Sequence, residues 1–468
     1  MKAADWGSEF VVLPKIPVAA LQPSAHNRAD FDAAWPRIRD LAHAAASRGA
    51  KLIVLPEATV PGYVLGSEPV DPGQLERAAA DVREIARGSG ATIVYGTAKI
   101  VDGHVYNAAV CVAPDGRELG HAPKRFLWHF DRRWFAPGAT LRPIETPVGT
   151  LGVLVCADGR IPTIAATLAE RGAQILVMPT AWVTSGRDPA ALENVQADLM
   201  ANVRARENGL PFVIANKCGV ELASVAYCGK SAIIAADGSF VARGSETAEE
   251  IVFGEIAPAA PRTRPPDERI APSPRASERE RARFAFTTAR AHPELERLAE
   301  LAGFADCDAV FARDAASAGG APAAIENVAR GATAAPRACA EVAYAVVDDR
   351  TMHDPRGLVA ERLGGIDLFV WCADHARDPA WQLRFARTRA AELRAYVLVF
   401  DGGGERAYAV DPDGAVVAGT FGAYRMASFA YDKARARATT VAPATDVLAG
   451  LRAAEAIRAE ALVEAGAR

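Results

Sequence analysis

An apolar run from Leu151 to Val155 stops at Cys156, passes through Ala157-Asp158-Gly159-Arg160, and reaches Pro162, where a helical pattern begins. A strand that ends in small residues and restarts as a helix must turn through a tight elbow. Proline near the first helical turn fixes where the helix starts. The spacing therefore predicts a thiol at a strand-to-helix elbow, facing the positive end of the helix, which favours the thiolate. Taken alone, the cysteine is as readily a small buried hydrophobe.

The same alternation runs through the first half. Strands fit 17–21, 52–55, 91–95, 107–112, 152–155, 175–178, 212–216 and 232–235, and helices fit 31–46, 72–86, 164–171 and 190–208. Asp71 is placed to cap the second helix, with Pro72 at its first position. Asp237-Gly238 reads as a hairpin turn. Short apolar strands alternating with helices predict an α/β chain whose sheets are covered by helices on one outer face.

Two further segments carry chemistry. Lys51-Leu52-Ile53-Val54-Leu55-Pro56-Glu57 sets a carboxylate at the tip of a strand, and the carboxyl ends of strands are where α/β sites assemble. His121-Ala122-Pro123-Lys124 retains a lysine in a chain with eight lysines and 45 arginines. Where arginine is the default cation, a lysine marks a place for a compact ammonium. Glu57 can take the thiol proton and pass it to a leaving amine. Lys124 can hold the oxyanion of a tetrahedral intermediate, and Cys156 can carry the acyl group as a thioester.

With these motifs in order, the chain resembles the nitrilase superfamily of carbon–nitrogen hydrolases from about Ile16 to Pro258. The resemblance rests on Ala19-Ala20-Leu21-Gln22, Leu55-Pro56-Glu57, Lys124, Val155-Cys156-Ala157-Asp158, Arg160-Ile161-Pro162, the run from Gly172 to Thr180, and Arg204-Ala205-Arg206-Glu207-Asn208. It implies an αββα sandwich with Glu57, Lys124 and Cys156 as base, oxyanion stabiliser and nucleophile. It also implies a second carboxylate after the lysine, at Asp131. The family usually has Glu there, so the shorter Asp131 either reaches Lys124 or is a surface carboxylate paired with Arg132 or Arg133. Arg160 resembles the position that meets a substrate carboxylate in carbamoyl-amino-acid members; a salt bridge to Asp158 or Glu170 is the alternative. Trp182, after a strand end, either walls a substrate pocket or belongs to the core or an interface.

Nitrile-processing members put Trp-Glu after the nucleophile, whereas Ala157-Asp158 here looks like the amidase and carbamoylase branches. The family's Pro-Glu after the elbow is replaced by Pro162-Thr163. The resemblance implies a thiol-dependent hydrolase of a small linear amide or N-carbamoyl compound, with no cofactor and no metal. A non-catalytic scaffold of the same fold is the rival. A papain-like pairing of the thiol with His104, His121 or His129 lacks its own sequence signature. His353-Asp354 and Asp374-His375 lack metal-ligand spacing.

A net charge of −4 gives no electrostatic reason to bind nucleic acid or an anionic membrane. No apolar run approaches the ~20 residues that span a bilayer. Seven cysteines without close-spaced pairs point to a reduced, cytoplasmic setting.

After residues 1–258 the composition changes. Residues 259–280 are rich in proline and arginine and read as a linker or surface strap. Residues 281–468 then echo the first half, with a helical tail. Leu363–Trp371 resembles Arg171–Met178, Arg389–Val399 resembles Arg204–Ile214 with Glu392 matching Glu207, and Asp413-Gly414 resembles Asp237-Gly238. Asp314 and Asp348 fall at the Glu57 and Cys156 positions, and no lysine lies between Phe311 and Tyr344. The expectation is a shortened, catalytically dead copy that pairs with the first as an intramolecular pseudo-dimer, with further self-association open. An unrelated α/β accessory domain is the alternative.

Overall fold

The computed structural model describes residues 14–186, 188, 190–260, 275–290, 293–313, 324–328, 337–373, 378–403 and 405–466. Most of the Pro/Arg-rich segment, Asp314 and the Asp374-His375 pair therefore lie outside the described residues. The chain divides into two compact units, residues 1–267 with 454–468, and residues 268–453.

In the first unit, β1 (Ile16–Gln22), β2 (Leu52–Val54), β3 (Thr92–Val101), β4 (His104–Val112) and β5 (Glu118–Pro123) build one sheet. A second contains β6 (Leu151–Val153), β7 (Ile175–Pro179) and β8 (Phe212–Ala215), with β11 (Ala232–Ile234) and β12 (Phe240–Arg243) added after the small hairpin β9 (Cys218–Glu221) and β10 (Val225–Cys228). β13 (Glu250–Ile256) returns to the first sheet, giving the orders β13-β1-β2-β3-β4-β5 and β12-β11-β8-β7-β6.

Helices α1 (Phe31–Ser47) and α2 (Pro72–Ser89) cover the first sheet, packing Phe31, Ile38, Val82 and Ile85 on Ala19, Leu21, Ile53 and Ile93. On the second sheet lie α3 (Pro162–Glu170) and α4 (Ala201–Asn208). The layers run helix, sheet, sheet, helix. The central strands β1, β2, β7 and β8 are buried along nearly their whole length, as expected of strands covered on both faces.

Several boundaries differ from the sequence pattern for local reasons. β3 and β4 meet in a two-residue hairpin because Asp102 and Gly103 both take positive φ, 48° and 78°. That turn lengthens both strands beyond their apolar runs. The helix expected over 190–208 starts late, because the Asn194 Oδ1 accepts the amides of Gln196 and Ala197. A π-helical turn, Gln196–Met200, leads into α4. Asp71 does cap α2, accepting from Gly73 N at 2.8 Å with Pro72 at the start of the helix.

The second unit has its own pair of sheets. One contains β14 (Arg281–Thr287), β15 (Ala309–Arg313), β16 (Ala324–Val328) and β23 (Met426–Asp432), in the order β16-β15-β14-β23. The other contains β17 (Arg337–Cys339), β18 (Val342–Val347), β19 (Leu368–Cys372), β20 (Tyr396–Phe400), β21 (Ala407–Val410) and β22 (Val416–Gly419), paired in sequence order. Phe284, Phe311, Tyr344, Tyr396 and Phe429 fill the space between them. Helices α5 (Glu294–Phe304), α6 (Asp349–His353), α7 (Pro355–Leu363) and α8 (Pro379–Leu393) belong to this unit.

Candidate active site

Glu57 stands three residues beyond β2, in a turn pressed against β3. The Gly96 amide donates to Pro56 O, and a Cβ at Gly96 would come within 2.5 Å of Glu57 Cα. Only glycine lets the strand approach the turn so closely. Glu57 is fully buried. Its Oε1 accepts Asn107 Nδ2 and Lys124 Nζ, each at 2.7 Å, while Oε2 has no hydrogen-bond partner among the described residues. A carboxylate with one oxygen anchored and one open is oriented to move a proton.

Lys124 follows β5 and is fixed at both backbone atoms: its N donates to Asn107 O, and its O accepts Gly138 N. Its ammonium bridges two carboxylates, Glu57 Oε1 at 2.7 Å and Asp131 Oδ2 at 2.6 Å, and none of the three side chains is exposed. Burial opposes the charge on Lys124, but Asp131 and Glu57 outweigh it and hold its pKa well above the ordinary value. Asp131 is no surface carboxylate. The short helical turn His129–Arg133 turns it inward, and it also accepts Tyr63 OH at 3.0 Å and Trp128 N at 2.8 Å. The shorter side chain reaches Lys124 because its own turn brings its backbone close.

Cys156 opens a 3-10 turn, Cys156–Arg160, that precedes α3. Its φ of 45° is a left-handed conformation, an unfavourable one for a residue with a side chain, of the kind that clusters at functional sites. Burial first, then the Glu57 carboxylate, push the thiol pKa up, while Lys124, the Thr180 side chain and the Ala181 backbone pull it back. The net direction is upward, against the pull expected from the helix end. A thiol pushed up in this way needs a proton acceptor to become a nucleophile.

Asp158 ties this elbow to the lysine loop. Its carboxylate accepts the backbone amides of Arg125, Phe126 and Val155 and pairs with the Arg125 guanidinium at 3.1 Å. From α4, Arg204 Nε donates to Gly159 O at 3.0 Å while its guanidinium pairs with Glu207 at 2.7 Å.

Arg160 lies over the Trp128 ring at 4.9 Å, and Asp158 is committed to Arg125. Trp182 is buried; Asn216 Oδ1 accepts its backbone N–H, and its indole N–H has no partner among the described residues. Of the histidines considered as thiol partners, His121 faces Glu118 at 3.5 Å, His104 packs on Tyr106 and His129 on Phe130. No group of three or more His, Cys, Asp or Glu that could hold a metal occurs among the described residues.

Sequence reasoning overlooked Asn107, Tyr63 and Lys217. Asn107 opens the strand read over 107–112 but carries no chemical signal there, and Tyr63 sits in a stretch without a distinctive pattern. Lys217 carried a legible signal, the same scarcity of lysine that drew attention to Lys124.

The profile of the carbon-nitrogen hydrolase family matches residues 17–264. A protein described as "Hydrolase in pqqF 5'region" from Pseudomonas protegens is 35% identical over 201 residues, 41% of this chain and 67% of that protein. A nitrilase of Pyrococcus abyssi is 30% identical over 48% of this chain and 84% of its own length. The omega-amidase NIT2 of Danio rerio is 31% identical over 47% and 81% respectively.

Proposed function

The chain belongs to the carbon-nitrogen hydrolase family, and on that footing we propose that it is a thiol hydrolase cleaving the C–N bond of a small linear amide or N-carbamoyl compound. The observation that carries this reading is the buried Lys124, clamped between Glu57 and Asp131, with the second Glu57 oxygen open and the thiol under the influence of both charges.

In the proposed cycle Glu57 takes the Cys156 proton as sulfur attacks the carbonyl carbon. The oxyanion is stabilised by Lys124, whose own charge Asp131 secures. Glu57 returns the proton to the departing nitrogen, the C–N bond breaks, and a thioester remains on Cys156. Glu57 then deprotonates a water, which attacks the thioester and frees the acid and the thiol. Arg160 and Trp182 are proposed to contact the substrate. An amide substrate is favoured by Ala157-Asp158 after the nucleophile and by the amidase among the relatives.

Ammonia release over a panel of amides, N-carbamoyl amino acids and nitriles tests this. Turnover of at least one amide or carbamoyl compound, lost in Cys156→Ala, is expected. No turnover of any substrate would favour a non-catalytic scaffold.

We further infer that residues 281–432 are a shortened, inactive copy of the first unit, joined by the segment 259–280. Matching strand orders and senses support this: β23-β14-β15-β16 follows β13-β1-β2-β3, and β18 to β22 follow β6, β7, β8, β11 and β12. Side chains agree as well. Arg389 donates to Met352 O and pairs with Glu392, as Arg204 does with Gly159 O and Glu207. Arg387 donates to Gly414 O, as Asn202 does to Gly238 O. Both α3 and α7 are nine residues long and begin with proline.

Counting back from Met352 as the counterpart of Gly159 assigns Asp349, not Asp348, to the Cys156 step. Asp348 instead caps α6, and Asp349 Oδ1 accepts Trp371 Nε1 at 2.9 Å. A carboxylate in place of the thiol leaves no nucleophile for a thioester. Pairing of the copies about a two-fold is part of the proposal; a chain ending at Pro258 that stays soluble, monomeric and fully active would remove it.

A further inference from the structure

Beyond β8 the chain turns into the site through Asn216 and Lys217. Asn216 fixes the strand end: its N–H donates to Ser231 Oγ, its Oδ1 accepts Trp182 N, and its Nδ2 donates to Gly229 O. Lys217, held by this frame, is 1% exposed. An ammonium has three N–H donors, yet its side chain makes one hydrogen bond, to Ala58 O at 3.1 Å, and no ion pair among the described residues. Ala58 follows Glu57 directly and has a left-handed φ of 43°. The faces of Tyr63 and Tyr227 lie 5.9 and 5.3 Å from Nζ.

A buried cation so sparsely paired is costly to keep. The charged and titratable groups around it show what it serves. Glu221 of β9, then Glu57 and Cys156 past the β2 and β6 ends, act on its charge. His26, bonded to Thr59 O, faces it from the loop after β1. Tyr63 leads on to Asp131 and Lys124. Glu221 makes no direct bond to Lys217: its oxygens accept Val64 N at 2.8 Å and Tyr227 OH at 2.6 Å, pinning the far end of the same loop. Burial draws the Lys217 pKa down, against the pull of Glu221, Glu57 and Cys156.

We propose that Lys217 is a positioning residue for the Glu57–Cys156 pair: its ammonium holds the Ala58 carbonyl, fixing the turn that presents Glu57, and its buried positive charge favours the deprotonated pair. This rests on the assignment of Cys156 as nucleophile. It adds a second lysine that touches no reacting atom.

The test is the pH dependence of Cys156 alkylation by iodoacetamide, read by peptide mass spectrometry without substrate. A cation stabilises the more negative state, so removing it raises the apparent midpoint of the coupled pair. Lys217→Met, or Lys217→Gln if the first does not fold, should move the midpoint up by at least about half a unit. Lys217→Arg, which keeps the charge, should return it towards the wild-type value. A purely structural lysine would lower the melting temperature without moving the midpoint, so an unmoved midpoint in a folded, uncharged variant overturns the proposal. Because alkylation needs no turnover, a failed substrate screen leaves this result readable, and an unmoved midpoint with intact turnover sinks this inference alone.

Discussion

Lys124 and Asp131 form an ion pair of 2.6 Å with neither side chain exposed. Asp131 thereby fixes the position and the charge of the group proposed to receive the oxyanion. In Asp131→Asn that anchor loses its charge while the shape is kept. The expected result is a fall of about 10²-fold in kcat with a smaller change in KM, the pattern of an interaction that strengthens in the transition state. Steady-state kinetics on the best substrate of the panel checks it; an unchanged kcat would make Asp131 a packing residue.

Glu57→Gln and Lys124→Met should each cost on the order of 10²–10⁴-fold in kcat/KM. In the proposed cycle the two act on one step, and they share a hydrogen bond of 2.7 Å. Their losses should therefore not multiply in the double variant. Multiplying losses would indicate two independent sites of action.

The pH behaviour of the thiol gives a sharper contrast. Burial and Glu57 push the Cys156 thiol pKa up, so alkylation should accelerate into the alkaline range. In Glu57→Gln the opposing carboxylate charge is gone, and the alkylation midpoint should fall. Turnover should nevertheless be lost, because the acceptor that moves the proton is gone as well. Alkylation rates across pH for both proteins test this; a higher midpoint in the variant would contradict the placement of Glu57 charge beside the thiol.

Much of this site was legible in the sequence because the residues that carry it follow buried strands. Glu57 and Cys156 lie just past β2 and β6, whose apolar runs and breakers are plain in the chain. Asp131 was found but its reach was not, since that depends on the turn at His129–Arg133 and on a hydrogen bond from Tyr63, 68 residues away. The upward push on the thiol pKa was not legible for a related reason: the helix end is a local feature, but burial is set by the whole fold. Strands β9, β10 and β12 escaped notice because they are short and, in part, exposed. If the second half is read as a copy, the Arg389–Met352 hydrogen bond moves the counterpart of Cys156 from Asp348 to the adjoining Asp349, a shift that no sequence pattern marks.

That second unit should be sensitive at Arg389 and Glu392, a fully buried pair at 2.5 Å. Glu392→Gln takes the Glu392 charge away from a buried guanidinium and should cost about 3–5 kcal/mol. Replacing both partners, as Arg389→Met with Glu392→Leu, should cost less than either single change. Denaturant unfolding of the three variants decides it; a single variant as stable as the wild type would contradict the buried pairing.

Passage of the acyl group through Cys156 is open to rapid-quench peptide mapping. The enzyme is mixed with its best substrate, quenched in acid within the first turnovers, digested and analysed by mass spectrometry. A substrate-derived acyl mass is expected on the peptide containing Cys156, absent in Cys156→Ala, which should be folded and inactive. Full turnover by Cys156→Ala, or an acyl mass on another residue with Cys156 unmodified, would contradict it.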